Sequence, residues 1–508
     1  MTEDRVQRIL VILPNNLGDV IMATPVIEGL RSRHPESHLS FLVEQGFEGG
    51  VENNPHLDEL VIFPRKTIRD TLRSGDWNKG SRDFIHFIGE LGNRKFDSII
   101  NLSQHGYLSN LVSLIPAKVI KGCRFLREGN DALFGTWSEY LYAIPFARRY
   151  NALHAVDVYR RIAGVKKHRS GYTIRLTDQE KKDAKEYLLS HNVDLGNGKL
   201  VVFQPGAAYS AKRWPIQLYA TLGRMLIEDG WQVVLSGAPA EREIVAGIQE
   251  LIGEEGVTTA GDTTFRQAAA NCSMAQACVT GDTALMHAAA AFRVKTFALF
   301  GTTNPVETGP YGSGHFVFSG GCSQRPCFCD TCKSMLCMKS ILPETVLHCL
   351  VNDAVPPDPR CDIYRTSVQT DGDYSLLTTK PHSFSYVNTA GAFIVRRAFE
   401  TDMSQPGYSQ EEFEMSREES GRFTAIVSRM ENLLQEFLEN REDNRIRDFE
   451  TSKNELAQLS GIGAFWTALL NIRLNSIPML DLTTGVRLSA EACRKTRNQI
   501  ETVFASYR

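Results

Sequence analysis

The 508-residue chain reads as an α/β protein built of two doubly wound halves facing a cleft, with a mainly helical extension behind them. Three observations predict this. Short apolar runs alternate with helical stretches over roughly the first 350 residues, which implies parallel sheets. Two of those runs end in small-residue turns that open helices, the arrangement at the ligand-binding edge of such sheets. Beyond Pro356-Pro357-Asp358-Pro359 the pattern changes to long amphipathic helices.

Composition bounds the function classes. With 42% hydrophobic residues, 23% charged residues and a net charge of −3, nothing calls for nucleic acid as a partner. No apolar run is long enough to span a bilayer. Arg8-Ile-Leu-Val-Ile-Leu13 is too short for a secretory segment and reads as a first strand, so a cytoplasmic protein is expected. Residues 1–175 carry 24 Lys and Arg against 19 Asp and Glu, a modest basic face for an anionic acceptor or for the inner face of a membrane. A solvated surface explains that balance equally well. No G-x-G-x-x-G follows the first strand and no P-loop sequence occurs, which argues against a dehydrogenase and a P-loop enzyme.

In chain order, the strand Ile9 to Leu13 leads through Pro14-Asn-Asn-Leu-Gly-Asp19 into a helix expected over Val20 to Arg33. Further strands are expected at Leu39 to Val43, Leu60 to Phe63 and Ser98 to Asn101. Thr177-Asp-Gln-Glu180 forms a capping box for a charged helix to His191. The second half begins near Leu200 with the strand Leu200-Val-Val-Phe203. The turn Gln204-Pro-Gly206-Ala-Ala208 after it lets backbone amides approach an anion, and Lys212 adds a point charge before a helix opening at Pro215. The strand Gln232 to Leu235 ends beside Glu241 and Glu243; a carboxylate there can hold ribose hydroxyls, or simply face solvent on the helix. The strand Ala277 to Thr280 then gives Asp282 and Thr283, which can cap a helix over Leu285 to Phe292 carrying His287. The strand Lys295 to Phe300 and a Gly-rich loop to Gly312 complete that edge.

These pieces together resemble glycosyltransferase family 9, the lipopolysaccharide heptosyltransferases. The likeness lies in Leu17-Gly18-Asp19 through Pro25, Pro205-Gly206, Lys212-Arg213-Trp214-Pro215, Asp282-Thr283 with His287, and Phe300-Gly301-Thr302 with Gly309-Pro310-Tyr311-Gly312, and it covers residues 8 to 352. The resemblance implies the GT-B architecture: an acceptor-binding Rossmann-like domain over 1–175 and a nucleotide-sugar-binding one over 176–355 carrying a Cys-rich loop; beyond it, residues 360–508 read as a mainly helical extension, with some strand, of unassigned role. The resemblance implies inverting transfer from a nucleotide sugar, ADP-heptose first, to a glycan or glycolipid hydroxyl, with no catalytic metal. Asp19 is the implied general base, against the plainer reading that it caps its helix, where the helix terminus would lower its pKa. Gly206, Ala208, Lys212, Glu241, Asp282, Thr283 and His287 are the implied donor-binding residues. Ala208 stands where a hydroxyl residue is common in the family and Ala284 where glycine is common, which leaves the donor open. A nucleotide-sugar epimerase, or a domain that binds without turnover, are the alternatives.

Cys322, Cys327, Cys329, Cys332 and Cys337 form a dense loop that suits either a structural metal clip or reduced thiols packing among themselves. Asp371-Gly-Asp373 matches a D-x-D metal signature but is better explained as a polar turn. In the extension, strand-like runs are read at Ser383 to Val387 and Ala392 to Phe399. A capping box at Ser416 to Glu419 opens a helix with Phe423, Val427, Met430, Leu434 and Phe437 on one face, and helices follow over Ser452 to Leu459, Ala464 to Leu474 and Ser489 to Ser506. The extension can support assembly or acceptor choice.

Overall fold

The computed structural model describes residues 6–127, 129–165, 171–196, 198–322, 324–357, 360–368, 373–378, 392, 395–400, 410–440, 443–477 and 482–505. The first sheet holds β1 (Arg8–Ile12), β2 (His38–Glu44), β3 (Glu59–Phe63), β4 (Ser98–Asn101), β5 (Val119–Phe125) and β6 (Asp131–Phe134), in the order β3-β2-β1-β4-β5-β6. Its strands run parallel except for the β5–β6 pair. Ile9, Leu10, Val11 and Ile12 of the central β1 are all buried, which is why that strand reads as an unbroken apolar run.

The second sheet holds β7 (Leu200–Gln204), β8 (Gln232–Leu235), β9 (Gly256–Thr258), β10 (Ala277–Gly281), β11 (Lys295–Phe300), β12 (Phe316–Gly320), β13 (Cys361–Val368) and β14 (Tyr374–Leu377). Their order is β14-β13-β12-β11-β10-β7-β8-β9, with β12 to β9 parallel and β13 and β14 added antiparallel at the edge. The helix Ala284–Ala291 lies close to this sheet because its alanines offer little bulk, and the Thr283 hydroxyl caps it by accepting from the Met286 amide.

Four expectations are corrected. The helix expected over Val20 to Arg33 is two helices, Leu17–Met22 and Thr24–Arg33. Pro25 has no amide to continue the ladder, and the Thr24 hydroxyl donates to the Ile21 carbonyl at the junction. Second, the run Ala392 to Phe399 is not a strand: Ala392 and residues 395–397 are helical, while Ser383 to Val387 lie outside the described residues. Third, Ser416 does not open its helix, which already begins at Gln410 and runs to Asn440 with Ser416 buried inside. Fourth, Asp373 is not in a polar loop. It is buried, bonded to Arg161 at 3.2 Å and paired with Arg396, whereas Asp371 is not among the described residues.

The extension ties into both halves. β13 and β14 lengthen the second sheet, but the helices Gln410–Asn440, Asp443–Leu456, Gly461–Asn475 and Leu482–Ala505 share one hydrophobic core with the first half. Tyr140 of the first half packs on Phe399 and Phe465, with ring centroids at 5.1 and 6.1 Å. Glu139 beside it accepts from Arg473 and Lys495 at 2.8 and 2.9 Å. None of the described helices is long and apolar enough to cross a membrane.

Candidate active site

A cleft of about 1210 Å³ runs between the carboxyl ends of the two sheets. Asn16 to Asp19 and Arg148 line it from one side, and Gly206 to Tyr209, Lys212, Glu241, Asp282 and His287 from the other. That volume exceeds a usual small-molecule pocket of roughly 300–1,000 Å³.

Asp19 sits in the first turn of Leu17–Met22. Asn16 ahead of it takes a left-handed backbone (φ 60°), a conformation asparagine tolerates, and its side-chain amide donates to the Asp19 carboxylate at 3.0 Å. No side chain caps this helix. Burial pushes the carboxyl up to about 6, helped by the negative charges of Asp282 and Glu307 and opposed by Asn16 and Lys212.

Across the cleft, Lys212 stands on a single 3₁₀ turn (Ser210–Lys212) and its ammonium meets Asp282 at 2.8 Å. Burial raises the Asp282 carboxyl, but Lys212 outweighs it and holds the group below its ordinary value. Gly206 is buried, and a Cβ there would fall 1.9 Å from the Glu241 carboxyl, so a side chain at this position would push Glu241 aside. Both hydrogen bonds recorded for the Glu241 carboxylate, from Gln204 and from the Ala238 amide, fall on Oε2 at 2.9 and 2.8 Å. Ala208 is exposed at the rim. Thr283 shares its hydroxyl between the helix cap and Thr280 at 2.9 Å.

His287 joins the halves. Its Nδ1 bonds the Tyr172 hydroxyl at 3.0 Å, and its ring lies so close to Gly18 that a Cβ there would be 3.1 Å away. Burial keeps this imidazole neutral, its pKa lowered to about 4. Glu307, in the short helix Pro305–Thr308, has no counterpart among the sequence-based candidates. Its carboxylate is paired with Arg148 and lies within reach of the Asn151 amide at 3.4 Å, while Arg148 stacks on Phe328 at 3.9 Å. Burial raises the Glu307 pKa and Arg148 opposes the rise. The local signal is Asn304-Pro305 after β11, a helix start at the cleft edge where the Asn304 side chain caps the Val306 amide.

The Cys-rich loop packs against this edge: Cys327 and Phe328 donate their amides to the Thr302 carbonyl, and the Ala211 amide reaches the Asp330 carbonyl. Cys329 donates to the Thr331 carbonyl and Cys337 is buried. Among the described residues no three His, Cys, Asp or Glu are gathered as metal ligands.

The sequence profile of glycosyltransferase family 9 (heptosyltransferase) matches residues 84–337, half of the chain. The chain belongs to glycosyltransferase family 9. Lipopolysaccharide heptosyltransferase 2 of Escherichia coli K12 is 38% identical to it over 317 residues, 60% of this chain and 85% of that protein. Lipopolysaccharide heptosyltransferase 1 of Pseudomonas aeruginosa is 26% identical over 340 residues, 64% of this chain and 87% of that one. The crystal structure of a family 9 glycosyl transferase from Veillonella parvula superposes with a TM-score of 0.55 at 25% identity, covering 68% of this chain and 96% of its own. The two facing α/β halves are thus a GT-B fold, and the protein is a glycosyltransferase.

Proposed function

We propose that this family 9 enzyme moves a heptose from ADP-heptose to a hydroxyl of a lipopolysaccharide-core or similar glycolipid acceptor, with inversion. The observation that carries the reading is one cleft holding a proton-hungry carboxylate on one wall and a cation–carboxylate pair on the other. Residues 1–175 would hold the acceptor and 176–355 the donor. Asp19 takes the proton of the acceptor hydroxyl as that oxygen attacks the anomeric carbon. The leaving nucleoside diphosphate departs towards Lys212 and the amides near Gly206, which stabilise its growing charge. Oε1 of Glu241 is available to a ribose hydroxyl, Asp282 to sugar hydroxyls, and Thr283 and the rim at Ala208 to the phosphates. His287 holds the walls in register. No metal enters these steps. The enzyme would work in the cytoplasm, at the membrane face that carries its acceptor.

The test is release of ADP from ADP-heptose, with and without a core-oligosaccharide acceptor, alongside thermal shifts with ADP, UDP and GDP on the native protein and Lys212→Ala. Acceptor-dependent release and a shift with ADP alone, lost in the variant, are expected; a ligand at a hundredfold excess over Kd adds about 2.7 kcal/mol. A shift with UDP or GDP instead would replace the donor. Free sugar released without acceptor would replace the reaction.

A further inference from the structure

The helix Arg65–Arg73 leaves β3 at the strand's carboxyl end and therefore starts at the cleft side of the first sheet. Arg65 stacks over Tyr107 at 4.2 Å, and the Tyr107 hydroxyl reaches Asn15, beside the Asp19 turn, at 3.0 Å. Ser74-Gly75-Asp76 turns the chain, with Gly75 at φ 92°, into the helix Trp77–Asn93, which leads back to the start of β4.

This hairpin presents an unusual surface. Trp77 and Ile85 are each 67% exposed. Lys66, Arg73, Lys79 and Arg82 are exposed as well, and none of them makes an ion pair among the described residues. Between Arg65 and Arg82 the carboxylates are Asp70, which faces Arg69 at 3.2 Å, and Asp76, which caps the Lys79 amide at 3.0 Å. At 3.6 residues per turn, Trp77 and Ile85 lie about 80° apart round their helix and Arg82 about 60° beyond Ile85, while Lys79 falls on the side of Asp83 and Glu90. A single exposed leucine needs no explanation. An indole and an aliphatic side chain among unpaired cations match a bilayer surface, where rings settle at headgroup depth and cations meet lipid phosphates.

We propose that the hairpin of residues 65–93 is where the protein docks on an anionic bilayer, turning the cleft towards the lipid that carries its acceptor. This rests on the glycolipid acceptor put forward above. Salt bridges to lipid phosphate would add roughly fivefold in partition per cation, and the buried rings and aliphatics would set the depth.

The full-length protein is sedimented with phosphatidylcholine vesicles, with and without about a quarter phosphatidylglycerol. Binding is expected to the mixed vesicles, falling with salt, and only weakly to phosphatidylcholine alone. Lys66→Glu with Arg73→Glu, and separately Trp77→Ser with Ile85→Ser, should each weaken it by about tenfold or more. Leu114→Ser, 49% exposed elsewhere on the same half, should bind like the native protein. No binding of the native protein, or binding by both double variants equal to the native protein's, overturns the proposal. ADP release with a delipidated acceptor in solution should be the same in all of them. Turnover there without vesicle binding sinks the docking surface and leaves the transferase reading standing; vesicle binding without turnover strikes the transferase reading instead.

Discussion

Asp19 and Asp282 face each other across the same cleft, each just past the carboxyl end of a parallel strand, and burial pushes both carboxyls the same way. Their outcomes are opposite. Asp282 has Lys212 at 2.8 Å and stays below its ordinary value. Asp19 has a neutral amide, Asn16, at 3.0 Å, together with the fields of Asp282 and Glu307, and rises to about 6. In the proposed reading, the donor wall carries its own counter-charge before any diphosphate arrives. The acceptor wall is left with a carboxylate that gains by taking up a proton. Neighbours, not burial, decide which aspartate can serve as a base.

The strongest way to break this contrast is Asp19→Asn. Loss of a general base predicts a fall in kcat of about 10²- to 10⁴-fold with the donor KM little changed. Stability should move the other way. Because the folded protein holds the Asp19 proton more tightly than the unfolded chain, its stabilising contribution is present below the ordinary value of 3.8 and is lost as pH rises towards 6. At neutral pH the charged carboxylate is therefore a cost, and asparagine should stabilise the fold by about 1–2 kcal/mol, the partial exposure of the site reducing the full effect. A thermal melt showing the Asp19→Asn variant less stable than native would mean that Asp19 is well solvated or paired, and the contrast would collapse.

Next in size is Lys212→Ala. It strips the wall at Asp282 of its cation and leaves that carboxylate without its counter-charge. We expect kcat/KM for the nucleotide sugar to fall about 10²- to 10³-fold, and an ADP-induced thermal shift to disappear. Lys212→Arg should recover part of both, since it restores charge with a different reach. A variant that binds ADP as tightly as the native enzyme would show that the pair is a fold element and not a phosphate site.

The donor wall is the more legible of the two in the sequence. Strand, small-residue turn and cap are local patterns, and Gln232 to Leu235 and Lys295 to Phe300 appear where the apolar runs place them. That Lys212 meets Asp282, seventy residues on, follows once the two turns share a sheet edge. The acceptor wall depends on partners that no local pattern names. Glu307 matters because Arg148 and Asn151 fold over it from the other half. Asp373 reads as a turn until Arg161 and Arg396 enclose it. The division of the extension, strands to one half and helices to the core of the other, likewise rests on contacts such as Glu139 with Arg473, 334 residues apart. Pro25 is the exception on that wall: a proline inside a helical run is a local signal for a break, and the chain divides there into two helices.

A gentler probe is the pH profile of kcat/KM in the native enzyme. If Asp19 acts as the base, the acid limb should fall near pH 6, and the rate should drop about tenfold per pH unit below it. His287 cannot supply that limb, because burial holds its imidazole neutral down to about pH 4. A limb near 4 would assign the titration to an ordinary carboxylate, and the two walls would no longer differ.

The smallest and sharpest change is Glu307→Gln. It keeps the shape of the side chain beside Arg148 and Asn151 but removes one negative charge from the surroundings of Asp19. With less repulsion to relieve, Asp19 gives up its proton more readily, so the acid limb should move to lower pH. The variant should then keep a larger share of its plateau rate than the native enzyme at pH values just below 6, by a few-fold. At neutral pH, where Asp19 is already charged in both, kcat/KM should change less, apart from a modest loss as a weaker base. Glu307→Asp provides the control: it retains the charge, so the limb should stay while the contact with Arg148 loosens. If both variants shift the profile alike, Glu307 acts on Asp19 through the position of Arg148 and not through its charge. If neither shifts it, Asp19 owes its high pKa to burial, the first of the causes acting on it, and the acceptor wall needs no help from the donor half to keep its base.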